Sequence, residues 1–151
     1  MQIINQMKLE FLSIPENEGF ARVAVSAFAV QLDPTLDMLA DIKTAVSEAV
    51  TNAIVHGYAE NMGVVSISAS LFENGLLSVS VADRGRGIDD IPQAMQPFFT
   101  TGAGEDRSGM GFTVMESFMD EVSVRSAPGR GTAVRMCKAI RLREDAVPRR
   151  A

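Results

Sequence analysis

Residues 64–87 read VVSISASLFENGLLSVSVADRGRG. Through Leu71 the side chains alternate, with Val65, Ile67, Ala69 and Leu71 on one side and Ser66, Ser68 and Ser70 on the other. A period of two belongs to an extended chain, so the stretch predicts a strand with one dry face and one wet face. Asn74-Gly75 supplies the positive backbone angles of a tight turn, and Leu77, Val79 and Val81 resume the alternation in a returning strand. The hairpin runs straight into Asp83-Arg84-Gly85-Arg86-Gly87-Ile88. Glycines there let the backbone approach a flat ligand closely, and Asp83 can accept a hydrogen bond from an exocyclic amine. Read alone, the same stretch is more often a glycine-rich turn, here capped by Asp83.

Upstream of the hairpin, Met7, Leu9 and Phe11 alternate with Lys8 and Glu10, which predicts a first strand ending near Pro15. Phe20, Val23, Ala27 and Val30 then recur at helical spacing and form an apolar stripe, with Glu16 and Glu18 suited to the first turn. Asp33 as N-cap and Pro34 at the first helical position are expected to open a long helix running to Gly57. Downstream, residues 89–108 lose their period and gain Pro92, Pro97, Gly102 and Gly104, the pattern expected of a long, partly mobile loop, and loops of this length are usually functional or disordered. Helix returns over residues 109–119, with Phe112, Met115, Phe118 and Met119 on one side. Strands over residues 122–126 and 132–140, joined by Pro128-Gly129-Arg130-Gly131, close the domain. Helices alternating with hairpin-linked strands predict an α+β fold, a two-layer sandwich with helices on one face of a mixed, mostly antiparallel sheet. Residues 1–140 are expected to form one domain, followed by a charged, disordered tail over residues 141–151.

With 151 residues and 46% apolar composition, the chain has the material for one core. Its only cysteine is Cys137, read as a small buried hydrophobe in a reducing, cytoplasmic setting. Residues 1–14 interrupt their apolar run with Asn5, Lys8 and Glu10, unlike a signal peptide or a membrane span. A net charge of −5 removes the main driving force for direct nucleic-acid binding and suits a basic protein partner better.

Three further features carry chemistry. Glu48, Asn52 and His56 are spaced four apart, so they project from one helix face at successive turns amid apolar Val46, Ala49, Val50, Ala53 and Ile54. A buried carboxylate needs a reason, although the stripe alone also reads as a solvated face. Gly109-Met110-Gly111-Phe112 opens a helix whose free N–H groups suit an anion. Arg107, just before it, can close over a terminal phosphate or face water.

The order of these features is more specific than any one of them. Glu48-x-x-x-Asn52, Asp83-x-Gly85-x-Gly87 and Gly109-x-Gly111 resemble, in turn, the N, G1 and G2 boxes of the GHKL (Bergerat-fold) ATPases and kinases. The stretches from Glu18 to Arg22, Ser47 to Ile54, Phe98 to Thr101, Arg107 to Phe112 and Met115 to Asp120 are similar to those of the anti-sigma F factor family, and the likeness spans roughly residues 7–140. Arg84 and Arg86 stand where acidic or neutral residues are more usual, and Glu105-Asp106 varies the approach to Arg107.

The resemblance implies an ATP-dependent protein serine kinase that binds ATP or ADP with Mg²⁺. Glu48 would be the general base and Arg107 would balance charge on the transferred phosphoryl group. Asn52 would offer an oxygen to Mg²⁺, and Asp83 would receive the adenine amine with support from Thr132. Gly85, Gly87, Thr100, Thr101, Ser108, Gly109, Met110 and Gly111 complete the implied nucleotide contacts, and His56 is read as structural. The implied partners are a sporulation sigma factor, an anti-anti-sigma factor phosphorylated on serine, and a second copy of the chain; Arg22 is the candidate sigma-facing residue. A general-stress anti-sigma kinase and a non-catalytic, ATP-gated sigma clamp are the alternatives. A two-component histidine kinase is disfavoured because the single histidine, His56, sits inside the box helix, and no Walker-type G-x-x-x-x-G-K-[ST] occurs.

Overall fold

A computed structural model describes residues 2–96 and 111–140. Five strands form one sheet in the order β1-β2-β3-β5-β4. They are β1 (Ile3–Leu12), β2 (Val64–Phe72), β3 (Leu76–Asp83), β4 (Glu121–Ala127) and β5 (Gly131–Ala139). All four pairings are antiparallel, so the mostly antiparallel sheet expected from the hairpins contains no parallel pair among the described residues. The β2–β3 register pairs Ile67 with Val81 and Ala69 with Val79, which places the apolar sets of both strands on one face. Gly75 takes φ 88° in the connecting turn.

Helices α1 (Glu16–Ala29), α2 (Leu36–Asn52), α3 (Ile91–Ala94) and α4 (Gly111–Phe118), with short helical turns at Val30–Leu32 and Ala53–Gly57, complete the described elements. The central one is α2, which packs between α1 and α4 and lies over the sheet. Its inner face is buried through Ile42, Ala45, Val46, Ala49 and Val50, against strand residues that include Val65, Ile67, Leu77, Val79 and Met136. Cys137 is buried, as its neighbours suggested. Among the described residues no helix is long and apolar enough to cross a membrane.

Four local expectations are corrected. The N-cap of α2 is Thr35, whose hydroxyl accepts from the Met38 N–H at 3.1 Å, while Asp33 takes a left-handed φ of 55° at the end of the short turn Val30–Leu32. An aspartate tolerates that conformation better than most residues, so it breaks the chain here rather than capping the next helix. The buried face of α1 is Ala21, Val25, Phe28 and Ala29, not the stripe of Phe20, Val23, Ala27 and Val30. Phe20 and Val23 are 54% and 62% exposed. Apolar residues occupy two sides of α1, and the close approach of α2 selects the one with small alanines. Phe118 is likewise exposed, whereas Phe112, Met115 and Met119 are buried. Within the expected long loop, residues 91–94 form a single helical turn capped by Asp90, whose carboxylate accepts from the Gln93 N–H at 3.1 Å.

Ile67 has no exposed surface at the centre of the sheet. Ile67→Ala is expected to cost about 2 to 5 kcal/mol, because it removes buried methyl groups and leaves a void that close-packed neighbours fill only in part. Chemical denaturation of parent and variant measures the difference.

Candidate functional site

Helix α2 does not end as an α-helix. Over residues 53–57 it widens into a π-type turn, in which the Tyr58 N–H donates to the Ala53 carbonyl five residues back at 3.1 Å. Such wide turns occur frequently at functional sites. This one carries Gly57 against the end of β3. A Cβ at Gly57 would lie 2.8 Å from the Asp83 carboxylate carbon, and one at Gly85 would lie 1.8 Å from the Gly57 carbonyl oxygen. No side chain fits between the two backbones, which is why residue 85 must be glycine.

The turn after Asp83 is held on every side. The Arg84 N–H donates to the Tyr58 hydroxyl at 2.7 Å, the Gly85 N–H to Asp83 Oδ1 at 2.8 Å, and the Arg86 N–H to the Gly57 carbonyl at 3.0 Å. The Ile88 N–H donates to Ser126 Oγ at 2.8 Å, and the Gly129 N–H to the Arg86 carbonyl at 2.7 Å. Gly87, at φ 78°, makes the reversal between these anchors. The loop is therefore a preformed wall.

Asp83 and Thr132 are directly opposed in the β3–β5 register, and Thr132 faces Ser126 in the β4–β5 register. The Ser126 and Thr132 hydroxyls are 2.8 Å apart. Asp83 is only 9% exposed. Burial, the larger influence, pushes its carboxyl above the ordinary carboxylate range, while hydrogen bonds from the Gly85 and Thr132 N–H groups pull it partly back. The result is a desolvated acceptor at the end of a strand.

At the other end of the site, a Cβ on Gly111 would meet the Asn52 side-chain amide at 3.0 to 3.2 Å. The start of α4 and the middle box residue of α2 thus lie side by side, although 59 residues separate them in the chain. Glu48, one turn before Asn52, lines an open groove of about 660 Å³ between α1 and α2 with Arg22, Val23, Lys43, Thr44, Ser47 and Thr51. Arg22 sits at its lip, 3.7 Å from Glu18, and the Ser47 hydroxyl donates to the same Glu18 carboxylate.

Of the candidate residues, Asn52 and Gly111 come together at one end, and Asp83, Gly85, Gly87 and Thr132 at the other. Glu48 and Arg22 share the groove. Thr100, Thr101, Arg107, Ser108, Gly109 and Met110 lie outside the described residues, as does the tail after Ile140. The sequence reading did not single out Gly57, Tyr58 or Ser126. Nothing in their spacing marks them, and only their contacts do.

Fold and site together define a histidine kinase-like ATPase domain, and the family model of that description matches residues 12–138. The anti-sigma F factor of Thermoanaerobacter sp. (strain X514) is 57% identical over 140 residues, covering 93% of this chain and 97% of the relative. That of Bacillus subtilis (strain 168) is 55% identical over 135 residues, covering 89% and 92%. The solved structure of the RsbU and RsbW domains of Rv1364c from Mycobacterium tuberculosis has the same fold, with a TM-score of 0.67 at 20% identity; it matches 90% of this chain, which spans 32% of that one. The histidine kinase domain from Erythrobacter litoralis EL346 aligns with a TM-score of 0.53 at 22% identity, over 82% of this chain and 61% of its own. The chain belongs to the anti-sigma F factor family within the histidine kinase-like ATPases.

The Asp83 shift has a consequence in the absence of ligand. A folded-state pKa raised above the unfolded one means that the folded chain holds more protons between the two, so this group's contribution to stability is greatest below that window and declines as pH rises through it. Asp83→Asn is expected to abolish the decline. The melting temperature of the variant minus that of the parent should grow from acid towards neutral pH, whereas a difference independent of pH would contradict the assignment.

Proposed function

We propose that this chain is an anti-sigma factor that holds a sporulation sigma factor and, with ATP, phosphorylates an anti-anti-sigma factor on serine, the bound nucleotide setting which partner is held. The observation that carries the nucleotide reading is the contact of Gly111 with Asn52 on the same helix that ends against Asp83. Asn52 and Gly57 are five residues apart, little more than one turn along the same helix. An adenine against Gly57 and Asp83 therefore directs its phosphates towards Asn52 and the first N–H groups of α4.

Each residue type suits its task. Asp83 accepts from the adenine amine, and Thr132 stands beside it. The neutral amide oxygen of Asn52 is the kind of ligand that a hard cation takes, and its place next to α4 is where phosphate oxygens would complete the shell. Magnesium bound there with the nucleotide would draw charge from the phosphate oxygens. Glu48 takes the proton from the incoming serine hydroxyl as its oxygen bonds to the γ-phosphorus and the bond to the bridging oxygen breaks, leaving ADP. Arg107 balances the charge that develops on the transferred group, and Thr100, Thr101, Ser108, Gly109 and Met110 line the phosphates; these assignments rest on the family motifs alone.

The groove beside Glu48 supports an approach for the acceptor serine, with Arg22 and Lys43 as cations at its margin. Arg22 is the proposed sigma-facing residue. A second copy of the chain is the proposed dimer partner, supported by the position of β1 at the sheet edge with Ile3 and Ile4 exposed.

Incubation with labelled ATP and a purified anti-anti-sigma factor tests the kinase reading. Label is expected on serine, and Glu48→Gln should lower the transfer rate by about 10² to 10⁴-fold while ATP affinity stays nearly unchanged. Nucleotide binding without label on serine would instead favour a non-catalytic, ATP-gated clamp. Pull-down with each partner under ATP and ADP tests the exchange, and equilibrium sedimentation tests for twice the chain mass of 16.2 kDa.

A further inference from the structure

Tyr58 is the one tyrosine of the chain, which has no tryptophan. The π-type turn before it rotates the residue away from a regular helical position, with φ −113° and ψ 49°. Its ring then lies on Gly63, where a Cβ would come within 2.2 Å of Cε1. Its hydroxyl donates to the Val64 carbonyl at 2.8 Å and accepts from the Arg84 N–H at 2.7 Å. The hydroxyl thus joins the first residue of β2 to the peptide bond that immediately follows Asp83.

On its other side the same peptide packs against Gly131, where a Cβ would lie 2.1 Å from the Asp83 carbonyl oxygen, and the Tyr58 hydroxyl is the acceptor for its N–H. Its next neighbour, Gly85, has no side chain and directs its N–H back to Asp83 Oδ1. A shift of the Asp83–Arg84 peptide therefore moves the carboxylate directly. Ser126 and Gly57 hold the far part of the loop, at Ile88 and Arg86. Tyr58 holds the near part.

We propose that Tyr58 is a positioning residue for adenine recognition, with its hydroxyl setting the Asp83 carboxylate in the plane of the exocyclic amine. The inference rests on the nucleotide reading given above and adds a residue to it. Arg84 is exposed, so water can replace the hydroxyl when it is removed, and Tyr58→Phe keeps the ring on Gly63. The variant is expected to fold with little loss of stability. What it should lose is discrimination at position 6 of the purine.

Calorimetry with ATP and with inosine triphosphate, which has an oxygen in place of the amine, separates the outcomes. The parent is expected to prefer ATP, and Y58F should reduce that preference by about 3- to 10-fold, the scale of one neutral hydrogen bond, through weaker ATP binding with inosine triphosphate little changed. Equal weakening of both nucleotides, or a preference kept in full, would overturn the inference and leave the nucleotide reading standing. A parent that binds neither nucleotide, or does not distinguish them, would overturn the nucleotide reading and this inference with it. If Y58F fails to fold, the parent's tyrosine emission decides, because Tyr58 is its sole source in a chain without tryptophan: a saturable change that tracks the calorimetric ATP curve and is smaller with inosine triphosphate supports the role, and an unchanged signal at saturating ATP refutes it.

Discussion

The contact between the Gly57 carbonyl and the backbone of Gly85 is the constraint on which the site depends. It joins the last turn of the helix layer to the end of the central hairpin at a separation that excludes even a Cβ. Everything on either side follows from that meeting. It brings Gly57 against the Asp83 carboxylate, directs the Arg86 N–H to the helix end, and leaves the preceding turns of α2 to present Asn52 and Glu48 towards α4 and α1. A conventional α-helical end would give residues 57 and 58 a different direction, so the π-type turn is part of the joint.

The site combines a rigid end with a more accessible one. Around Asp83, four backbone N–H groups of the following turn have defined acceptors, and two adjacent strands set the row Asp83, Thr132, Ser126 by register. A ligand bound there would meet groups already in place, with little ordering left to oppose binding. The half-buried stripe of Ser47, Glu48, Thr51 and Asn52 instead borders a groove and a helix start. The first arrangement presents fixed polar groups with little freedom to move, and the second leaves its side chains open to approach from outside.

The stabilising core explains why a polar stripe can survive on α2. Its opposite face is covered by the sheet through residues with almost no exposure, and α1 and α4 flank it. The helix is held by its apolar side, so its other side need not be optimised for packing. The link between Glu18, Ser47 and Arg22 ties α1 to that side, although an ion pair as exposed as Arg22–Glu18 contributes little to stability by itself.

Much of this was legible in the chain. Alternation over residues 64–83 with Asn74-Gly75 between determined the hairpin, apolar Val46, Ala49 and Val50 marked that part of α2 as packed into a core, and the spacing of Glu48 and Asn52 placed them on one side of that helix. These are properties of a few neighbouring residues, which is why local pattern captures them. Where two local patterns competed, packing chose: α1 carries apolar residues on two sides and buries the alanine-rich one, and Asp33 gives way to Thr35 as the cap. The roles of Gly57, Tyr58 and Ser126 in the site, and the adjacency of Asn52 to Gly111, belong to the tertiary structure alone. They arise from backbones meeting across tens of residues, and no periodicity records a contact whose two halves lie in different segments.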